Sequence, residues 1–241
     1  MKNVTTRLLL ATCLAAAMPA LASEFSVTPV RIFMGPRDRA VAVTLTNEGD
    51  EEVVMQAQLF SWKQKPGGED DLVPTEDMIL SPPIVKLAPR SRQVVRLARL
   101  TPPPVGGEET FRLIVREVPE AKPPTKEVKL QVALAFSLPV FVTPATAKRR
   151  LLCEPARAAA DTVRITCRNE GTAYAQARGF ALVSDTGDKI AARDTGGYIL
   201  PTIARAFDVK RNEGRIGSGR IKVQVTFDDG SVQTFDGLLA D

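Results

Sequence analysis

The sequence predicts an all-β protein built from two β-sandwich domains. Short stretches rich in Val, Ile, Leu, Thr and Phe alternate apolar and polar residues with the period of two that is typical of half-buried strands. Clusters of Gly, Pro, Asn and Asp, which favour turns, separate these stretches. No stretch carries a sustained 3.6-residue apolar period with helix caps. Many short strands with little helix are typical of a sandwich or a barrel.

The predicted strands follow one another at short, regular intervals. In chain order they are Glu24–Ile32, Ala40–Thr46, Val53–Trp62, Gln93–Leu100, Phe111–Val118, Val128–Val142, Thr162–Cys167, Ala175–Val183 and Lys222–Phe227. The turn signals between them are Gly35-Pro36, Asn47-Glu48-Gly49, Pro66-Gly67-Gly68, Pro102-Pro103-Pro104, Asp185-Thr186-Gly187 and Asp228-Asp229-Gly230.

A weak internal repeat supports the division into two domains. An alternating strand runs into Asn47-Glu48-Gly49, and a second one runs into Asn169-Glu170-Gly171. The two copies are separated by about the length of one sandwich domain of ~100 residues. We therefore predict tandem β-domains at 23–144 and 145–241, with the hinge near Thr143–Ala147.

Residues 1–22 have the layout of a secretory signal peptide. Lys2 and Arg7 precede a brief apolar run, and Ala20-Leu21-Ala22 offers small residues before a cleavage site at Ser23. The run is too short to span a bilayer, which takes about 20 residues. Cys13 would allow a lipoprotein interpretation, but few apolar residues precede it, so the signal peptide is favoured. We expect a periplasmic protein with no membrane insertion.

The remaining cysteines, Cys153 and Cys167, are predicted to form a disulfide, because an even number of cysteines in an exported chain favours one. Glu154-Pro155 between them is read as part of a turn. A metal site is the alternative, but the chain contains no histidine and offers no third thiol for it.

Composition argues against several classes of function. Without histidine, Ser-His-Asp and Cys-His nucleophilic sites are excluded. The leader holds two of the 32 basic and none of the 28 acidic residues, so the rest of the chain is close to neutral and gives no reason to expect nucleic acid as a partner. The acidic runs around Glu51 and Asp70 are predicted to be solvated loops; a carboxylate pair of a carbohydrate-active enzyme is the alternative. We expect no cofactor and no enzymatic activity.

The stretch Lys129–Val142 is long for a strand, since about 5–6 residues is usual. One face carries Leu130, Val132, Leu134, Phe136 and Leu138, whereas the other carries small or polar side chains. This row either packs inside the first domain or is presented to a partner as an edge strand, which is a template for β-augmentation. Pro139 is predicted to end the hydrogen-bonding ladder.

Several fragments, in order, resemble the periplasmic pilus-assembly chaperones of the chaperone–usher pathway over essentially the whole chain after the leader. They are Val27-Thr28-Pro29-Val30-Arg31, Asn47-Glu48-Gly49 with Trp62, Ser81-Pro82-Pro83-Ile84-Val85, Leu87-Ala88-Pro89, Val94-Val95-Arg96-Leu97, Glu109–Pro119, Leu138–Pro144 and Tyr198-Ile199-Leu200-Pro201.

The resemblance implies two immunoglobulin-like domains at an angle, with a cleft between them. It also implies donor-strand complementation, in which the long strand completes a pilus subunit that is then delivered to an outer-membrane usher. Leu130, Val132, Leu134 and Phe136 are the residues expected to enter the subunit. A structural two-domain adhesive or pilus component is the alternative; it would more naturally carry a donor extension ahead of its first strand.

The family also anchors the carboxylate of the subunit's C-terminus with basic residues in the cleft, and Arg31 matches the arginine of the first strand. Where many members place a lysine on the long strand, this chain has Pro139, which is similar to the divergent branch that serves spore-coat-U-like pilins. If the strand that begins near Phe111 pairs antiparallel with the long strand, Arg112 lies near the cleft. Arg112 is therefore the expected second anchor, since a guanidinium binds a carboxylate bidentately.

Overall fold

A computed structural model describes residues 25–119 and 133–240. Its strands are β1 (Phe25–Thr28), β2 (Ile32–Met34), β3 (Ala40–Asn47), β4 (Val53–Gln64), β5 (Asp70–Pro74), β6 (Met78–Ser81), β7 (Ile84–Leu87), β8 (Arg92–Arg99), β9 (Glu109–Glu117), β10 (Ala135–Val142), β11 (Leu151–Ala159), β12 (Thr162–Asn169), β13 (Ala175–Ser184), β14 (Lys189–Arg193), β15 (Gly197–Ile199), β16 (Ala204–Lys210), β17 (Gly219–Phe227) and β18 (Val232–Leu239). In these described ranges no helix is long and apolar enough to cross a membrane.

The strands form two sandwiches, as the fold class predicted. In the first, the sheet β1-β3-β8-β6 packs on the sheet β2-β10-β9-β4-β5, to which β7 adds through β4. In the second, the sheet β11-β12-β16 packs on β14-β13-β17-β18, to which β15 adds through β13. Each sandwich encloses its own apolar core, because alternate residues of its central strands, such as β9 and β12, point inward.

The Asn-Glu-Gly repeat forms the same asparagine-stabilised turn in both sandwiches. Asn47 is fully buried; its amide donates to the carbonyl oxygens of Glu51 and Ala88, and its Oδ1 accepts from the N–H of Gly49. Asn169 is fully buried too, donates to the carbonyl oxygens of Ala173 and Ile199, and accepts from the N–H of Gly171. Each asparagine satisfies backbone groups at a turn that would otherwise be buried without partners.

Two local predictions were wrong. The predicted strand Glu24–Ile32 is divided at Pro29, with β1 pairing antiparallel to β3 in one sheet and β2 pairing parallel to β10 in the other. Pro155 lies inside β11 and not in a turn, because β11 is an edge strand of its sheet, where a missing N–H is tolerated. The turn falls at Ala160 and Asp161.

Cys153 and Cys167 form a disulfide, as predicted. They stand directly opposite each other on the neighbouring strands β11 and β12. The bond joins the two strands within the core of the second sandwich, where both cysteines are buried.

Candidate functional site

One edge of β10 is open over half of the strand. On one side β10 pairs with β9 along its whole length, from Ala135 opposite Arg116 to Val142 opposite Glu109. On the other side β2 pairs only with the last three residues, 140–142. Within the described ranges, residues 135–139 have no strand on that side. Their outward backbone groups are therefore available to an added strand.

The side chains of β10 change from buried to exposed along the same stretch. Leu138 and Val140 belong to the core of the first sandwich and are 4% and 0% exposed. Phe136 and Leu134, on the same side of the chain, are 36% and 38% exposed. Leu130 and Val132, which were predicted to continue this row, lie outside the described residues.

Pro139 does not end the strand, contrary to the prediction. It stands opposite Arg112 in the β9–β10 ladder, and β10 continues to Val142. The proline is instead the last residue of the open edge, because β2 joins at the next position, Val140.

A third apolar cluster lies between the two sandwiches and joins them. Trp62 and Phe141 of the first sandwich and Leu200 of the second are almost completely buried in it. The ring of Phe141 stacks on that of Tyr174 at 3.9 Å between centroids, and the ring of Trp62 meets Tyr198 edge-on at 5.2 Å. Trp62 and the Tyr198–Pro201 motif, which the sequence singled out, therefore meet each other across the domain boundary.

Polar contacts hold the same boundary. The buried side chain of Gln64 accepts a hydrogen bond from the N–H of Leu200 (2.9 Å) and donates to the carbonyl oxygen of Tyr198 (3.2 Å). The carboxylate of Glu108 accepts from the Thr143 hydroxyl (2.7 Å) and from the N–H of Tyr174 (2.9 Å). Burial raises the pKa of Glu108, although both hydrogen bonds oppose the shift.

Arg31 reaches across the boundary from the loop that precedes β2. Its Nη1 donates to Oδ2 of Asp228 (2.6 Å) and to Oε1 of Gln176 (3.1 Å). The hydroxyl of Tyr174 donates to the same Asp228 oxygen (3.1 Å). The Arg31 side chain is 36% exposed and that of Asp228 is 12% exposed. Both of these hydrogen bonds use Nη1, and the Arg31 side chain also forms a hydrogen bond with the side chain of Tyr198. Because the guanidinium is still partly exposed, it is accessible to another ligand.

Arg112 is more enclosed. Its guanidinium lies 3.7 Å over the ring of Trp62 and 5.5 Å from that of Tyr198, and Nη2 contacts Oδ2 of Asp70 at 3.3 Å. The side chain is 12% exposed, and Nε is buried without a hydrogen-bond partner among the described residues. Burial lowers the pKa of Arg112, although Asp70 counteracts the shift; the group stays cationic at neutral pH.

Both arginines interact with the phenol of Tyr198. Burial raises the pKa of Tyr198, and the positive charges of both Arg31 and Arg112 oppose that shift. The cleft thus holds two guanidiniums, each paired with a protein carboxylate, beside a wall of aromatic rings. Such a site is suited to a carboxylate, with the most accessible donors on Arg31.

The sequence comparison identifies the chain. The family profile of the PapD N-terminal domain of pili and flagellar-assembly chaperones matches residues 24–148. The chain belongs to this chaperone family. The family that the sequence resemblance indicated is confirmed. A comparison with curated proteins found no significant match.

Solved chaperone structures share the fold. CsuC, in complex with the tip adhesion subunit CsuE of the archaic chaperone–usher Csu pili of Acinetobacter baumannii, has a TM-score of 0.65 and 20% identity over 91% of this chain and 100% of that chain. SafB, in complex with the SafA pilin of Salmonella enterica, has a TM-score of 0.60 and 13% identity over 91% and 98%. The E. coli chaperone DraB has a TM-score of 0.55 and 19% identity over 90% and 97%. At these identities the likeness establishes the two-domain immunoglobulin-like fold.

Sequence reasoning missed two acidic residues of this chaperone's cleft. Asp70 was assigned to a solvated loop, but its Oδ1 accepts from the indole N–H of Trp62 (2.8 Å) and its Oδ2 contacts Arg112. Asp228 was assigned only to a hairpin turn, although it pairs with Arg31. The only signal for Asp228 was its position directly after the predicted strand Lys222–Phe227, and that position does not identify a partner so distant in sequence. The sequence carried no such signal for Asp70.

Proposed function

We propose that this chaperone binds pilus subunits by donor-strand complementation in the periplasm and delivers them to an outer-membrane usher. The observation that carries the proposal is the open edge of β10 at residues 135–139, which leads from exposed apolar side chains to the arginines of the cleft. The solved complexes of CsuC with a tip adhesion subunit and of SafB with a pilin support it, since both chaperones share this fold.

The donor row consists of Leu130, Val132, Leu134 and Phe136. In an incomplete subunit sandwich, a missing strand leaves a groove of exposed core and unpaired backbone. The edge of β10 supplies the backbone hydrogen bonds, while alternate side chains fill the groove. Burying each large apolar side chain contributes about 1.5–3 kcal/mol, from which the cost of ordering the strand is subtracted.

Arg31 and Arg112 together anchor the carboxylate of the subunit's C-terminus. Arg31 makes the direct contact, because its side chain is three times as exposed as that of Arg112 and a guanidinium binds a carboxylate bidentately. Arg112 contributes mainly its charge, since Trp62 covers one face and Asp70 takes one of its donors. The low dielectric of the aromatic wall strengthens that contribution.

The remaining parts of the proposal rest on the sequence. The predicted signal peptide at 1–22 and the disulfide fit the periplasm. The proposed domain limits are 23–144 and 145–241, with the change between sandwiches after β10. The family is one of chaperones, which is not an enzyme class. We propose that the chain acts without catalysis.

The test is co-purification of the chaperone with a pilin-like subunit encoded beside its gene. Leu134→Asp places a charge in the donor row and is expected to abolish the complex. Leu238→Asp is the matched control, because Leu238 is a 71% exposed leucine on β18 of the second sandwich. The proposal is wrong if the Leu134→Asp chaperone, folded like the wild type, holds the subunit as well as the control does.

A further inference from the structure

The open edge of β10 has a single described aromatic support outside its own sheet. The ring of Phe136 meets that of Phe25 edge-to-face, with 4.9 Å between centroids and an interplanar angle of 85°. Phe25 lies on β1 in the other sheet of the first sandwich, opposite Asn47 of β3. The contact therefore spans the two sheets at the end of the sandwich where the donor strand leaves the core.

The two rings differ in how firmly they are held. Phe25 is 8% exposed and belongs to the core cluster, so its neighbours determine its position. Phe136 is 36% exposed and lies at the border between the buried residues 138–142 and the exposed Leu134. An edge-to-face contact uses one side of the Phe136 ring and leaves the other side for a ligand.

We infer that Phe25 is a positioning residue for the donor strand: it holds Phe136 extended on the open edge before a subunit arrives. This inference rests on the proposed function and names a residue outside the donor row and outside the cleft. Among the described strands, only β9 pairs with the backbone of residues 135–139, so the side-chain contact limits how far the segment can leave the edge. A donor segment that is already extended has less conformational entropy to lose on binding.

The Phe25 contact also fixes the side on which the donor row stands. Side chains alternate along a strand, so a rotation at Phe136 would turn Leu134 away from the groove as well. With Phe136 held against the core residue Phe25, the row keeps the orientation of the buried Leu138 and Val140.

The experiment compares Phe25→Ala with Val27→Ala, Phe136→Ala and the double variant Phe25→Ala/Phe136→Ala. Val27 is the matched control, because it lies on the same strand, faces the same core and is 5% exposed. Hydrogen exchange of residues 135–138 is measured in the free chaperone, and subunit affinity is measured for every variant. The melting temperature of each variant reports its general loss of stability.

We expect faster exchange at residues 135–138 in Phe25→Ala than in Val27→Ala at comparable stability. Subunit binding should weaken about two- to tenfold beyond the control, which corresponds to the usual strength of an aromatic pair. In the Phe136→Ala background the Phe25 substitution should have no further effect on affinity. Equal exchange in the two single variants, or fully additive losses of affinity, overturns the inference while the result with Leu134→Asp still decides the donor-strand proposal.

Discussion

The anchoring role proposed for Arg31 predicts a thermodynamic cycle between the chaperone and the subunit terminus. Arg31→Ala removes both the ion pair with Asp228 and the donors for an incoming carboxylate. The ion pair is partly exposed on the arginine side, so its loss should cost the free chaperone no more than about 1 kcal/mol. Hydrogen bonds to a charged group contribute about 1.5–3 kcal/mol, so loss of the carboxylate contact should weaken subunit binding roughly 10- to 150-fold.

The assay separates these two effects by changing the subunit as well. Titration calorimetry would compare a peptide or subunit that ends in a free carboxylate with the same molecule ending in an amide. Amidation should weaken binding to the wild type at least as much as Arg31→Ala does. In the Arg31→Ala variant amidation should cost much less, because only the charge of Arg112 then remains to attract the carboxylate. The subunit affinity of Arg31→Lys should lie between those of the wild type and Arg31→Ala, because lysine keeps the charge and loses the bidentate geometry.

Arg164→Ala is the matched control. Arg164 makes a similar short pair with Asp208, at 2.7 Å, on the surface of the second sandwich. Its substitution removes an arginine–aspartate pair without touching the cleft. The reasoning about the anchor is refuted if amidation weakens binding equally in the wild type and in Arg31→Ala, since the carboxylate would then be bound elsewhere.

Two further predictions concern the frame that holds the site. Asn47→Ala leaves buried backbone groups without partners and should lower the free energy of unfolding of the first sandwich by about 2–4 kcal/mol, measured by urea denaturation. Asn169→Ala should destabilise the second sandwich in the same way. If neither variant loses stability, the role given to the repeat is wrong. Glu108→Gln cannot ionise, and its amide can keep both contacts by accepting from the N–H of Tyr174 and donating to the hydroxyl oxygen of Thr143. Because burial raises the pKa of Glu108 in the folded state, the wild type loses stability relative to this variant as pH rises from the ordinary glutamate value through the raised one. The melting temperature of the wild type relative to that of Glu108→Gln should therefore fall over that pH window and then stay constant. A difference in melting temperature that does not change with pH would contradict this prediction.

Regularities within one domain were predictable from the sequence. The alternation in β4, β9 and β12 is visible because each of these strands buries every second residue. The Asn-Glu-Gly repeat was visible because a buried asparagine at a turn leaves the same short pattern in both domains. Several strands that the prediction omitted are short, such as β14, in which four charged or small residues surround Ile190. A weak apolar period does not distinguish such strands from loops.

What the sequence could not supply was the partner of each charged side chain. Arg31 and Asp228 are far apart in the chain and meet only because two sandwiches pack against each other at Trp62, Phe141 and Leu200. The position of Arg112 near the cleft was predictable, because it depends only on the antiparallel register of β9 and β10. β10 has an open edge up to Pro139 and a paired edge after it, because β2 pairs only with its last three residues. That arrangement depends on the chain changing sheets at Pro29, which no local sequence pattern indicates.

The place of β2 also constrains how a subunit strand can lie on the chaperone. β2 runs parallel to β10 and occupies its edge from Val140 onward, and Arg31 stands immediately before β2. A subunit chain whose carboxylate ends at Arg31 must therefore approach along the open edge in the same direction as β10 and stop where β2 begins. From Val140 to Leu134 the strand spans roughly 20 Å at 3.3 Å per residue. We therefore propose that the anchor at one end and the apolar row at the other set the register together, because a shift of one residue would turn every subunit side chain to the opposite face.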